Sequence, residues 1–133
     1  MTNLSTVADW GSGGTPKTGT REYYSGSIPW AVIGDLKDGK VTSTTTSITE
    51  SGLSNSSAKI VEPGVVLIAM YGASIGKLGL PAVPMATNQA IAFARPRDGV
   101  LDRDYLFYYL MRARDDLVAA AKALLNRISI RLS

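Results

Sequence analysis

Between residues 28 and 33 the chain reads IPWAVI, an apolar run with Gly26 before it and Gly34 after it, and this predicts a strand. Four more short strands are predicted at AKIV (58–61), VVLIAM (65–70), KLGL (77–80) and QAIAFAR (89–95), with EPG at 62–64 turning the chain between the first two. KVTSTTTSI (40–48) is β-branched but polar throughout, which predicts an edge strand or an exposed extended loop. GSGGTPKTG (11–19) holds too much glycine and proline for a helix or a central strand, and reads as an exposed loop. Thr49 is placed to cap a single helical turn over 50–54.

The last third changes period. Asp102 is a natural N-cap, and Leu106, Leu110, Ala113, Leu117, Ala121 and Leu124 follow at spacings of three and four, the apolar stripe of a long amphipathic helix. Asp104, Tyr108, Arg112, Asp115 and Lys122 fall on the opposite face, where Arg112 can pair with Asp115 or Asp116. A DNA-facing Arg112 or Arg114 is the alternative. Short strands followed by one helix give the fold class α+β: a small twisted, mostly antiparallel sheet with a long amphipathic C-terminal helix packed on it. Trp10 and Trp30 are expected in the core, and Tyr71 in core or loop packing.

The totals narrow the chemistry. With 133 residues the chain has the size of one ordinary domain, 1–133, and no internal repeat suggests a second. It contains no cysteine and no histidine, which excludes disulfides, thiol nucleophiles, Ser-His-Asp catalysis and the usual zinc sites. The start, MTNLSTVADW, lacks the basic and apolar regions of a signal peptide, and no apolar run reaches the ~20 residues of a membrane span. A cytoplasmic protein with no membrane partner is expected. The net charge of +3 suits a nucleic-acid binder without demonstrating one.

One stretch invites a nucleotide. AMYGASIGKLG (69–79) follows an apolar run, as a phosphate-binding loop would. That loop requires GxxxxGK[ST], so that successive amides ring the phosphates and a hydroxyl reaches magnesium. Here Gly72 and Gly76 stand one residue too close and Lys77 is followed by Leu78, so a nucleotide hydrolase is disfavoured. An amino-methyltransferase would need a (D/N)PP(Y/F) tetrapeptide and a glycine-rich cofactor loop, both absent. DLK at 35–37 is half of a nuclease motif without its Pro-Asp partner, and is read as chance. No catalytic residue and no metal site are expected.

Four separated segments, GGTPKTG (13–19), IPWAVIGDL (28–36), VVLIAMYGASIGKLG (65–79) and ATNQAIAF (86–93), precede the helix and NRISIRLS (126–133). In this order and spacing they resemble a target recognition domain of a type I restriction-modification specificity subunit, over nearly the whole chain. The resemblance implies a fold similar to the recognition domain of adenine-specific DNA methyltransferases. It also implies a non-catalytic part that reads one half of a split double-stranded DNA target. Modification (methyltransferase) and restriction subunits would be its partners, and those subunits, not this chain, would bind S-adenosylmethionine and ATP. A complete subunit of the family joins two such domains by spacer helices, which do not follow NRISIRLS here. An excised domain, a split gene or a truncated subunit is therefore expected, and self-association of two copies would rebuild the pair of half-sites. AKALLNRIS (121–129) departs from the glycine and small polar residues usual before the basic-Ile-Ser element, and extends the helix by about a turn. The alternative function is a specificity fragment acting mainly as a protein-interaction module for the methyltransferase subunit.

Motifs common to domains with different targets cannot themselves carry the target code. YGASIGK and TNQA are therefore read as scaffold, with Gly72, Gly76, Asn88 and Gln89 shaping loops, although Asn88 and Gln89 have the amides for adenine recognition. Base and groove contacts are expected from Lys17, Thr18, Thr20, Arg21 and Tyr23 in the first loop, and from Lys37, Lys40, Thr42, Thr44 and Thr45 around the second. Lys59, Lys77 and Arg95 are candidates for phosphate contact.

Overall fold

The computed structural model describes residues 8–97, 102–114, 116 and 119. It is α+β, as expected, but its strands form two sheets where one was predicted. The larger has the order β1-β8-β5-β6-β3, with β1 (Ala8–Ser12), β3 (Gly39–Val41), β5 (Val66–Ala69), β6 (Leu78–Pro81) and β8 (Ile91–Pro96). The smaller has the order β4-β2-β7, with β2 (Tyr24–Ala31), β4 (Thr46–Ile48) and β7 (Ala86–Thr87). Pairing is mostly antiparallel; β2 with β7 and β3 with β6 are the parallel pairs.

Strand β5 explains why VVLIAM is apolar without alternation. Val66 and Ile68 pack with Leu78, Leu80, Ala92 and Ala94 against Leu106, Phe107 and Leu110 of helix α2 (residues 103–114). Leu67 and Ala69 point the other way, into a layer with Leu36, Val41, Val61, Met85 and Ile91. A strand buried on both faces must be apolar at every position. A third cluster, Ile28, Trp30, Ile48, Ala58 and Ala86, fills the smaller sheet.

The helix begins where its sequence says it should: the Asp102 carboxylate accepts from the Asp104 amide at 3.2 Å, and its carbonyl accepts from Leu106 N. Asp104, Tyr108 and Arg112 are exposed, opposite Leu106 and Leu110. Of the expected partners of Arg112, Asp116 is exposed and forms no ion pair with it, while Asp115 and the stripe beyond Ala113, including AKALLNRIS, lie outside the described residues or their side chains do. Helix α1 (Glu50–Ser54) is capped by the Thr49 hydroxyl, which accepts from Gly52 N at 3.0 Å.

Three expectations fail. Trp10 is 40% exposed rather than core, although Ala8, two residues earlier on the same edge strand, is buried. AKIV forms no strand; Val61 alone makes an isolated bridge, with Met85. The loop over 11–19 is not generally exposed: Gly11 and Ser12 belong to β1, and Gly13, Gly14 and Pro16 are buried. KVTSTTTSI splits into β3 and β4, pairing in different sheets, with 42–45 as the loop between. Among the described residues no helix is long and apolar enough to cross a membrane.

Candidate nucleic-acid interface

The recurrent segments of the sequence meet where four strands end. β2 and β7 run parallel, with Ala31 beside Thr87, so both finish together, and Asn88 N donates to Ala31 O at 3.0 Å. β1 ends beside them: Gly13 N donates to Ile91 O at 3.3 Å and Gly14 N to Thr87 O at 2.9 Å. The end of β5 joins through Met70 N, which donates to Ala90 O at 2.9 Å. Gly13 is required by this closeness, since a β-carbon there would lie 2.0 Å from Thr87 O.

Within that junction Asn88 Oδ1 accepts from Ala90 N at 3.0 Å and shapes the turn into β8. The Thr15 hydroxyl contacts Gln89 Oε1, fastening the first loop to the same turn. Tyr24 OH donates to Pro16 O at 2.5 Å and Trp30 Nε1 to Gly14 O at 3.0 Å, so the first loop lies across β2.

The glycine loop after β5 does not offer a ring of amides. Gly76 N is bonded to Ala69 O, Ile75 N to Gly72 O, Lys77 N to Ser74 O and Met70 N to Ala90 O. Gly72 takes φ +77°, the left-handed conformation that turns the chain back toward β6. Lys77 Nζ lies 3.7 Å from the Asp38 carboxylate, which also sits 2.7 Å from Arg114 Nη1 and accepts from Leu78 N at 3.0 Å. Partial burial pushes the Asp38 carboxyl up, but the Leu78 amide, the Arg114 guanidinium and Lys77 together outweigh it and hold the pKa below the ordinary carboxylate value. Sequence reasoning missed Asp38 as a partner of Lys77 and Arg114. The signal available was the Asp38-Gly39 turn pair, with Asp38 at φ +61°.

Seven of the candidate contact residues line two open clefts. Thr20 and Arg21 line the first with Gly19, Tyr24 and Ser25, around a volume of about 500 Å³. It opens at a bulge in β2, where the register with β4 shifts between Tyr24 and Ile28 and Ser25 takes φ +60°. Lys37, Lys40, Thr42, Thr44 and Thr45 line the second with Asp35, around about 270 Å³.

Not every candidate side chain is available. Thr44 Oγ1 donates to Thr46 O at 2.6 Å and accepts from Trp30 N at 3.1 Å, so it is committed to the backbone. Asp35 accepts from Val32 N at 2.9 Å and Thr45 N at 3.2 Å, giving DLK a structural use and holding Thr45 in place. Tyr23 lies outside both clefts, half-buried, with its carbonyl bonded to Thr49 N. Lys17 and Thr18 are exposed in the first loop, Lys59 is exposed beyond α1, and Arg95 is exposed on β8 opposite Asp9. Asp9 instead pairs with Arg97 at 3.1 Å. Among the described residues Lys17, Arg21, Lys37, Lys40, Lys59 and Arg95 form no ion pair. Tyr71, expected in packing, is 63% exposed because the loop carries it beyond both core layers.

Among the described residues no group of three or more acidic side chains is placed to hold a metal ion. The chain belongs to the type I restriction modification DNA specificity domain family, whose model matches residues 1–126.

The MjaIX specificity subunit of Methanocaldococcus jannaschii is 31% identical over 108 residues, 79% of this chain and 24% of that protein. The EcoR124I/EcoR124II specificity subunit of Escherichia coli is 28% identical over 123 residues, 90% of this chain and 30% of that protein. The chain thus matches 24% and 30% of the length of these two relatives. The fold is that of the HsdS subunit from Thermoanaerobacter tengcongensis, with a TM-score of 0.68 at 24% identity over 86% of this chain and 27% of that one. The S subunit from M. genitalium superposes with a TM-score of 0.64 at 15% identity over 92% of this chain and 28% of that one.

Proposed function

We propose that this chain is a single target recognition domain that reads one half-site of a bipartite double-stranded DNA target for a type I restriction-modification system. It performs no chemistry itself. Modification and restriction subunits are its partners, with S-adenosylmethionine and ATP bound by them. The observation that carries this reading is the pair of clefts bordered by cations without internal partners, Arg21 at one and Lys37 and Lys40 at the other. Lysine and arginine there supply phosphate neutralisation, and the exposed Thr42 and the cleft-lining Thr20 supply short polar groups for base edges.

Selection from a random duplex pool, followed by titration of binding with salt, tests it. An enriched motif and a steep negative salt slope are expected; partner binding without any enriched motif overturns it.

That second outcome belongs to a protein-interaction module for the methyltransferase subunit. The observation favouring it is the exposure of Tyr105 and Tyr108 on the side of α2 away from Leu106 and Leu110. Co-purification with the methyltransferase subunit, before and after Tyr108→Ala, reads that interaction separately from DNA binding.

A further inference from the structure

Met70 and Tyr71 stand out against the strand that carries them. Ala69 is buried, yet the next two residues are 45% and 63% exposed. A single exposed apolar side chain is ordinary, but two in succession at the head of a braced loop form a presented surface. The bracing is specific. Met70 N is tied to Ala90 O, Gly76 N to Ala69 O and Lys77 N to Ser74 O, so Tyr71 projects from a loop closed at its base and held against the 88–91 turn.

The surroundings indicate what the aromatic ring meets. Thr15 is fastened to Gln89 in that turn, which brings the loop carrying Lys17 to the same junction. The three segments that assemble there, 13–20, 70–77 and 88–91, contain no acidic residue, and Lys17 is exposed and without an ion pair among the described residues. Lys77 has Asp38 beside it. An aromatic ring on a non-acidic junction suits a base in a polyanionic strand, since every base offers a face for stacking. Methionine beside it is suited to wedge an opened base step.

We infer that Tyr71 is the base-stacking residue of this domain, entering the bound duplex with Met70 and locally unstacking the step it meets. This rests on the DNA-reading function proposed above. It assigns the exposed loop a contact that the two clefts do not make.

The full chain and duplexes recovered by it from a random pool provide the test. Tyr71→Ala is expected to weaken binding by about 5- to 150-fold, the range for loss of one base–aromatic stack. Tyr71→Phe retains affinity and Tyr71→Leu does not, because the π-face and not apolar bulk is needed. The melting temperature of Tyr71→Ala stays at the wild-type value, as it would not for a core residue. In recovered duplexes carrying 2-aminopurine at each position in turn, wild-type protein raises fluorescence at one step, and Tyr71→Ala abolishes the rise. Equal binding by Tyr71→Ala and wild type overturns the inference while leaving the DNA function standing, as does loss of affinity without any fluorescence rise. Failure of the wild-type chain to enrich any duplex overturns the function itself.

Discussion

Asp38 and Arg114 approach to 2.7 Å, joining the turn before β3 to the helix that packs on the larger sheet. Lys77 reaches the same carboxylate at 3.7 Å, so one anion holds a helix and the base of the glycine loop together. Both cations are partly exposed, and the stabilisation is electrostatic and local.

The lowered pKa of Asp38 sets the sign of its contribution. A carboxyl whose folded value lies below its ordinary 3.8 stabilises the fold above that pH and loses the contribution as pH falls through the folded value. Asp38→Asn tolerates the left-handed backbone and keeps an acceptor for Leu78 N, but loses the charge. Urea unfolding at neutral pH is expected to show a loss of about 1 kcal/mol. The difference between variant and wild type narrows as the medium is acidified below the ordinary value; a difference independent of pH refutes the assignment.

Gly13→Ala forces a methyl group onto Thr87 O and Asn88 O, which are backbone atoms unable to swing aside. Overpacking of this kind costs about 1–3 kcal/mol. Gly34→Ala meets nothing within 4 Å and should leave stability within about 0.5 kcal/mol. Thermal unfolding of the two variants compares a junction with an open turn.

Helix α2 is predicted to be part of the core and not an appendage. Leu106 is fully buried against the larger sheet, and Leu106→Ala is expected to cost about 2–5 kcal/mol. Tyr105, its neighbour on the exposed side, should tolerate alanine with little change. Denaturant titration of both variants reads the helix packing directly.

Salt dependence discriminates among the lysines. If Lys40 neutralises a phosphate, Lys40→Ala lowers the slope of log affinity against log salt by about 0.9 for duplex DNA. Lys77 begins with Asp38 as its partner, so Lys77→Ala should change the slope less than Lys40→Ala. Filter-binding or fluorescence titrations across a salt series measure both, and a larger change for Lys77 would show that DNA displaces Asp38.

Much of the architecture was legible because local signals and tertiary demands agree. Asp102 and Thr49 cap helices with side chains close to their own sequence neighbours. The unbroken apolar character of VVLIAM announced a strand, although only the second layer of packing explains its lack of alternation. What sequence could not reveal depends on long-range encounter. Trp10 looks like a core residue, yet on the edge strand β1 it is 40% exposed. Thr44 resembles a groove contact until Trp30 N and Thr46 O consume its hydroxyl. The division into two sheets follows from β2 joining β7 in parallel across more than fifty residues of chain, a pairing with no local cue. The place of Lys77 in a glycine loop suggests a phosphate contact, while the carboxylate beside it lies in a different segment.

Strand β8 stands between β1 and β5, with Ala8 opposite Pro96 and Val66 opposite Ala94. During synthesis the β5–β6 hairpin can form as soon as its two strands emerge, but β1 must wait until almost the whole sheet has been made. A chain cut before β8 therefore forfeits the common neighbour of its earliest described strand and of β5, which is buried at every position.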